Sequence, residues 1–277
     1  MKMNKEPKKY FGIALDPIHI GAGGYRVGSV DNTIVREPTT NVPKIPGTSL
    51  AGVIRAYAEI AKKENDTLES IRIEDVFGTE EKQGMVGFYD GQIIFFPITS
   101  IQGTVWVTTK ELFEYWLKIE GISIPEGIED KAYAIKGINT TPSIDLGWLL
   151  LEVVNIPKNI TLGSKLDNFI KRIVITSDKL FSHIVNDNLE VRTSVRIDPE
   201  TGTAKKGALF TYEAISRGTV FGFEIVIDPC KGDTSIINLI NATFPYLKLL
   251  GLGGLGTRGF GRVEIFSGQS KSGGGQE

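Results

Sequence analysis

Gly251-Leu-Gly-Gly-Leu-Gly-Thr-Arg-Gly-Phe-Gly261 is the stretch whose reading separates one fold class from another. Gly251, Gly253 and Gly256 satisfy G-x-G-x-x-G, the spacing of a dinucleotide-binding loop. That reading requires a strand before the glycines and a helix after them, so that a pyrophosphate meets a helix N-terminus. Here the order is reversed: residues 234–250 carry helical spacing, and residues 262–266 read as a strand. A Rossmann site is therefore rejected. What remains is a flexible loop with Arg258 and Arg262, whose backbone amides can approach phosphates closely.

Upstream of this loop, residues 219–227 (Thr-Val-Phe-Gly-Phe-Glu-Ile-Val-Ile) form a strong strand signal. Before them, residues 190–197 and 207–215 flank a turn marked by Asp198-Pro199 and Thr201-Gly202, which predicts a hairpin with a long tip. Arg192, Arg196, Lys205, Lys206 and Arg217 make this segment locally basic, with Phe210 and Tyr212 among them. Such a pattern suits a phosphate backbone and its bases, but it equally describes an edge hairpin protected from aggregation by its charges.

At the other end, residues 10–18 read as a strand that stops at Asp16-Pro17, and residues 33–37 as a second. Between them lies His19-Ile-Gly-Ala-Gly-Gly-Tyr-Arg-Val-Gly-Ser-Val-Asp31, a glycine-rich loop holding one imidazole, one carboxylate and Arg26, with Arg36 just beyond. Loops of this kind, held between strands, often carry function; a solvated connection is the equally ordinary alternative. The clearest helix starts at Thr48 or Ser49 as N-cap, with Leu50, Val53, Ile54, Tyr57, Ile60 and Ala61 at helical spacing. Its first turn offers unpaired N–H groups to a phosphate, and Arg55 lies off its apolar stripe.

Two apolar runs split by Asp90-Gly91 predict a hairpin of residues 85–89 and 92–97. Residues 104–108 predict a strand and 110–120 a helix, with Trp106 and Trp116 as core residues. Residues 125–142 show no periodicity and read as a loop or insertion. Residues 147–156 suggest a strand, residues 166–175 fit helix or strand, and residues 178–185 suggest a short helix in which His183 is a packing or surface residue. The mixture of strands and helices is α+β. From residue 267 the composition is that of a disordered linker.

The chain has 277 residues, 41% hydrophobic and 23% charged, enough for one large domain or two small ones. A net charge of −2 does not announce a nucleic-acid binder. One cysteine, Cys230, excludes an internal disulfide and fits a reducing cytoplasm. One cysteine and two histidines, far apart, argue against a structural zinc site. The first nine residues are basic without an apolar segment, so no signal peptide is expected. No run approaches the roughly 20 apolar residues of a membrane helix.

These residues together resemble the RAMP superfamily of CRISPR-associated proteins, on four quoted stretches: the glycine-rich loop at residues 251–261; Val30-Asp-Asn-Thr-Ile-Val-Arg-Glu37 followed by Pro43-Lys-Ile-Pro-Gly-Thr-Ser-Leu50; Phe95-Phe-Pro97 with Trp106-Val-Thr108; and Thr201-Gly-Thr-Ala-Lys-Lys-Gly-Ala-Leu-Phe210. The likeness is to the repeated backbone subunit of type III effector complexes, most to the Cmr (type III-B) version, with the Csm (type III-A) version as runner-up. It implies a single domain over residues 10–266: a ferredoxin-like, RRM-related palm, a thumb hairpin at about 186–217 and an insertion at about 122–147. It implies a subunit that coats the guide region of a crRNA with copies of itself and other type III subunits, and cleaves bound target RNA at regular intervals as a metal-dependent endoribonuclease. Asp31 aligns with the family's catalytic aspartate and would touch a divalent metal, Mg or Mn, outside any preformed multi-ligand site. His19 and Glu213 align with neighbouring polar positions. RNA contacts would come from Arg26, Arg36, Thr48, Ser49, Arg55, Arg192, Arg196, Lys205, Lys206, Gly253, Gly254 and Arg258. Ala51 stands where the family often has a basic residue, which shifts that burden to Arg55. A non-catalytic RNA-coating protein and a lone guide-processing nuclease are the competing readings.

Overall fold

The structure, a computed structural model, describes residues 6–23, 30–119, 130–139, 141–156, 160–228 and 234–268; of residues 205–208 and 234 only the backbone is described. Strand β1 (Lys8–Ala14) opens the chain. Its Tyr10 and Ala14 enter one core while Phe11 and Ile13 enter a second, so successive side chains serve opposite faces of a sheet covered on both sides. Strand β2 (Lys44–Ile45) leads into α1 (Gly47–Glu64), and α2 (Ile73–Phe77) follows. Leu50, Ile54, Ala58 and Ala61 form the buried stripe of α1, and Lys62 and Lys63 sit at its negative end. Next come β3 (Val86–Phe88), β4 (Gly91–Ile98), β5 (Val105–Thr109) and α3 (Lys110–Leu117), the last capped by the Thr109 side chain.

The middle of the chain adds β6 (Lys131–Lys136), β7 (Ser143–Leu146), β8 (Leu149–Asn155), α4 (Ser164–Phe169), β9 (Ile173–Thr176) and α5 (Asp178–Asp187). Strands β10 (Glu190–Ile197) and β11 (Ala204–Ala214) pair with each other as a two-stranded sheet apart from the main one. Then follow β12 (Val220–Ile227), α6 (Thr234–Ala242), α7 (Phe244–Leu249) and β13 (Val263–Ser267).

The main sheet runs β13-β1-β12-β4-β5-β9-β6-β8-β7, with β2 on β4 and β3 on β12. Its first four strands are mutually antiparallel. Helix α1 joins β1 to the β3–β4 run, and α6–α7 join β12 to β13, which is a βαββαβ arrangement. Buried residues of α1, α5, α6 and α7 fill one core, and those of α3 and α4 fill the other. The result is a three-layered α+β fold.

Several expectations are corrected. Asp90-Gly91 does not close a hairpin: β3 and β4 run end to end along β12, and the Tyr89 amide keeps the ladder with the Glu224 carbonyl. The dipeptide serves as a step in one long edge, and the Asp90 carboxylate instead accepts from the Gly47 amide at 2.7 Å and pairs with Lys44. Residues 125–142 are not all loop, since β6 lies within them. Its Ala132, Tyr133, Ala134 and Ile135 are buried on both faces, which erases the alternation that marks a half-exposed strand. Residues 33–37 form isolated bridges, not a strand. The 234–250 helix is broken at Thr243, ahead of Pro245, whose ring cannot continue a helix interior. Ser267 pairs with Tyr10, and the Gly268 amide bonds the Lys9 carbonyl; the expected tail beyond them, 269–277, lies outside the described residues.

Candidate functional site

The loop that carries Asp31 meets β11 at a single bridge through Asn32. The Asn32 amide donates to the Thr211 carbonyl and the Glu213 amide to the Asn32 carbonyl, a parallel bridge centred on Tyr212. Around it, side chains close the contact. The Thr211 amide and hydroxyl both donate to Asp31 Oδ2, at 2.8 and 2.9 Å, and the Asp31 amide donates to the Thr211 hydroxyl at 2.9 Å. Asp31 is partly exposed, and its other oxygen, Oδ1, has no hydrogen-bond partner among the described residues. Donation by the Thr211 amide, then by its hydroxyl, lowers the Asp31 pKa below the ordinary carboxylate value. At neutral pH the side chain is an anion with one oxygen tied and, among the described residues, one free.

Glu213, two residues along and on the same face of β11, ties down the rest of the loop. It is buried; Oε2 accepts from the Ile34 amide at 3.1 Å and Oε1 pairs with the Arg36 guanidinium. Arg36 also donates to Asn186 of α5 and to the Ile34 carbonyl. Both oxygens of Glu213 and all three kinds of Arg36 nitrogen are thus committed. Within the described residues Arg36 thus acts first as a support of the Asp31 loop.

His19 is also buried and packs edge-on against Tyr212. Its Nδ1 lies 2.6 Å from the Glu213 carbonyl. A carbonyl only accepts, so Nδ1 carries the proton and a neutral ring keeps its lone pair on Nε2. The glycine loop clasps this residue from behind. The Gly254 amide donates to the His19 carbonyl at 2.8 Å, and a Cβ on Gly253, at φ +82°, would stand 2.6 Å from that same carbonyl oxygen. A Cβ on Gly261, at φ +92°, would meet the Leu252 carbonyl oxygen more closely still, at 2.3 Å, so the neck of the loop admits no side chain. The Gly254 amide is therefore spent on protein, not held ready for a phosphate.

The remaining expected RNA contacts fall into four groups. Arg196 and Arg258 are exposed; Arg258 donates to the Tyr212 hydroxyl at 3.3 Å, while Arg196 has no partner among the described residues. Arg192 lies across the Phe260 ring and pairs with Glu190, and Arg55 reaches the Gly78 carbonyl. Thr48 and Ser49 sit inside the first turn of α1, behind an N-cap that is Pro46, and the Asp90 carboxylate already occupies the Gly47 amide. That anion opposes a phosphate at this helix end. Arg26 and the side chains of Lys205 and Lys206 lie outside the described residues.

No group of three or more His, Cys, Asp or Glu able to hold a metal occurs among the described residues. None of the described helices is long and apolar enough to cross a membrane.

The RAMP superfamily model matches residues 13–264, from β1 to β13. The chain belongs to the RAMP superfamily. This RAMP protein is 30% identical over 282 aligned residues to the CRISPR system Cmr endoribonuclease Cmr4 of Pyrococcus furiosus, covering 91% of this chain and 92% of that one. A crystal structure of oligomeric Cmr4 from the same organism superposes with a TM-score of 0.66 at 26% identity, over 96% of this chain and 100% of that chain. A chain of the type III-B Cmr-beta complex bound to cognate target RNA shares the fold, with a TM-score of 0.72 at 20% identity and coverage of 95% and 97%. Within the superfamily, this RAMP protein is a relative of the Cmr backbone subunit rather than an outlying member. The residue that sequence reasoning passed over is Thr211: a threonine in the middle of a strand carries no local mark of its partner 180 positions away.

Proposed function

We propose that this chain is the repeated backbone subunit of a cytoplasmic type III-B CRISPR effector complex, and that it cleaves bound target RNA through Asp31. It coats the crRNA guide together with copies of itself and other type III subunits. Support for the assembly comes from the near full-length relation to an endoribonuclease Cmr4 and from the oligomeric Cmr4 structure. The observation that carries the site is the Asp31 carboxylate, fixed to the root of the β10–β11 hairpin by Oδ2, with Oδ1 unengaged among the described residues. We read residues 10–266 as one RAMP domain and this hairpin as its thumb, with Arg192, Arg196, Phe210, Tyr212 and Arg258 forming the surface that tracks RNA.

The reaction is attack of a 2′-hydroxyl oxygen on the adjacent phosphorus, its proton passing to water, as the P–O5′ bond breaks and the leaving 5′-oxygen takes a proton from water, leaving a 2′,3′-cyclic phosphate and a 5′-hydroxyl. A stacked A-form strand denies the in-line geometry this needs. A nucleotide splayed by the hairpin provides it, and positioning of this kind contributes on the order of several kcal/mol. Asp31 is a weak base because Thr211 stabilises its charged form, so its contribution is a fixed negative charge beside the scissile link. That same oxygen suits a hard divalent cation, which takes one or two carboxylates and completes its shell from phosphate and water. Such an ion would supply charge neutralisation at the phosphate. His19 and Glu213 serve as supports, holding the glycine loop and the Asp31 loop against β11.

The test is a complex reconstituted with guide RNA and a labelled complementary RNA, with and without a chelator. Regularly spaced fragments with cyclic phosphate ends that vanish on chelation support the reading. An uncut target, or fragments that persist unchanged after metal removal, count against cleavage or against the metal respectively.

A further inference from the structure

We infer that Thr211 is the positioning residue of the cleavage site, fixing which oxygen of Asp31 faces RNA; this rests on the assignment of Asp31 just given. Three hydrogen bonds join the two residues in a closed ring: Asp31 N–H to the Thr211 hydroxyl, that hydroxyl to Asp31 Oδ2, and the Thr211 N–H to the same Oδ2. The hydroxyl is the centre of this ring. It accepts from the main chain of residue 31 and donates to its side chain, and the carboxylate cannot turn without breaking the hydroxyl and amide bonds to Oδ2. Among side chains of this size only a hydroxyl does both at once.

The docking of the loop does not depend on that hydroxyl. The Asn32 and Glu213 amides keep their backbone partners, and Glu213 keeps Ile34 and Arg36, whatever stands at position 211. A valine there preserves volume, β-branching and the amide donor, and removes the ring. Across the chain, the hairpin strand thus holds the Asp31 carboxylate through two hydrogen bonds to Oδ2. The same strand carries Leu209, exposed on the face that bears Thr211, and Phe210 and Tyr212, half-buried on the opposite face. A hairpin seated on an RNA duplex thus carries the carboxylate with it.

The test compares Thr211→Val, Thr211→Ser and Thr211→Ala with Asp31→Asn in the reconstituted complex. Thr211→Val is expected to cut target on the order of 10- to 100-fold more slowly, the usual loss when a group orienting a functional carboxylate is removed. Target affinity and melting temperature should hold, and Thr211→Ser should recover the rate to within a few-fold. In the full chain, the 13C carboxyl titration of Asp31 should move upward in Thr211→Val and Thr211→Ala and stay in place in Thr211→Ser. A valine variant that cuts at the wild-type rate while Asp31→Asn is inactive overturns the inference alone. A serine variant as slow as valine overturns it too. Cleavage by Asp31→Asn overturns the underlying assignment instead.

Discussion

Replacing Glu213 separates a support from a reactant. In Glu213→Gln the amide oxygen still accepts from the Ile34 N–H, but the Arg36 guanidinium loses its counter-charge. Removing one partner of a fully buried pair costs about 3–5 kcal/mol. Here the side chains keep 18% and 11% exposure, and Arg36 retains Asn186 and the Ile34 carbonyl. The cost is therefore about 1–3 kcal/mol, a drop in melting temperature of roughly 2–10 °C for a chain of this size. Glu213→Ala also strands the buried Ile34 amide and costs about 1–3 kcal/mol more. Urea or thermal unfolding gives the stability, and single-turnover cleavage by the assembled complex at a temperature well below the transition gives the rate. Glu213→Gln should cut within a few-fold of wild type, and Arg36→Met with Glu213→Gln should cost less than the two single losses added. A Glu213→Gln protein of unchanged stability that binds target and does not cut would show that Glu213 takes part in the chemistry, and the assignment as a support would be wrong.

Gly253→Ala places a methyl against the His19 carbonyl at a backbone angle few side chains adopt, so a loss of about 1–3 kcal/mol is expected by calorimetry; an unchanged melting temperature would mean that the glycine loop does not clasp His19. Hydrogen bonding and charge repulsion from Asp178, at the start of α5, raise the pKa of Glu111 in the first turn of α3. A carboxyl with a raised folded value stabilises the fold fully below its unfolded pKa, near 4.3, and loses that contribution as pH climbs through the folded value. Glu111→Gln should accordingly melt higher than wild type at pH 7, with the gain gone at about pH 4. A variant less stable at neutral pH would mean that the helix-end field, which favours a carboxylate there, outweighs the neighbour.

The parts of the fold written in local sequence were legible. The apolar stripe from Leu50 to Ala61 gave α1, and Phe221 to Ile225 gave β12, because each buries one consistent set of positions. What misled was local chemistry put to distant use. Asp90-Gly91 has the composition of a hairpin turn, yet long-range pairing with β12 holds both of its flanks in one line. Strand β6 hid because Ala132 and Ala134 are small and both faces are covered. At the site, His19 and Asp31 stood out as the imidazole and the carboxylate of a glycine-rich loop, while their roles, and Glu213 altogether, came through family resemblance. Their division of labour did not, since it depends on contacts spanning 177 to 194 positions. Arg36 looked like a free cation until Glu213 claimed it.

The most direct measurement is target cleavage by a reconstituted complex whose backbone subunits all carry Asp31→Asn. The substitution keeps the volume and an oxygen acceptor for Thr211 and removes the charge. Guide and target should bind as in the wild type, and the regularly spaced cuts should disappear. Cuts at the same sites and at the wild-type rate would place the chemistry on another residue or another subunit.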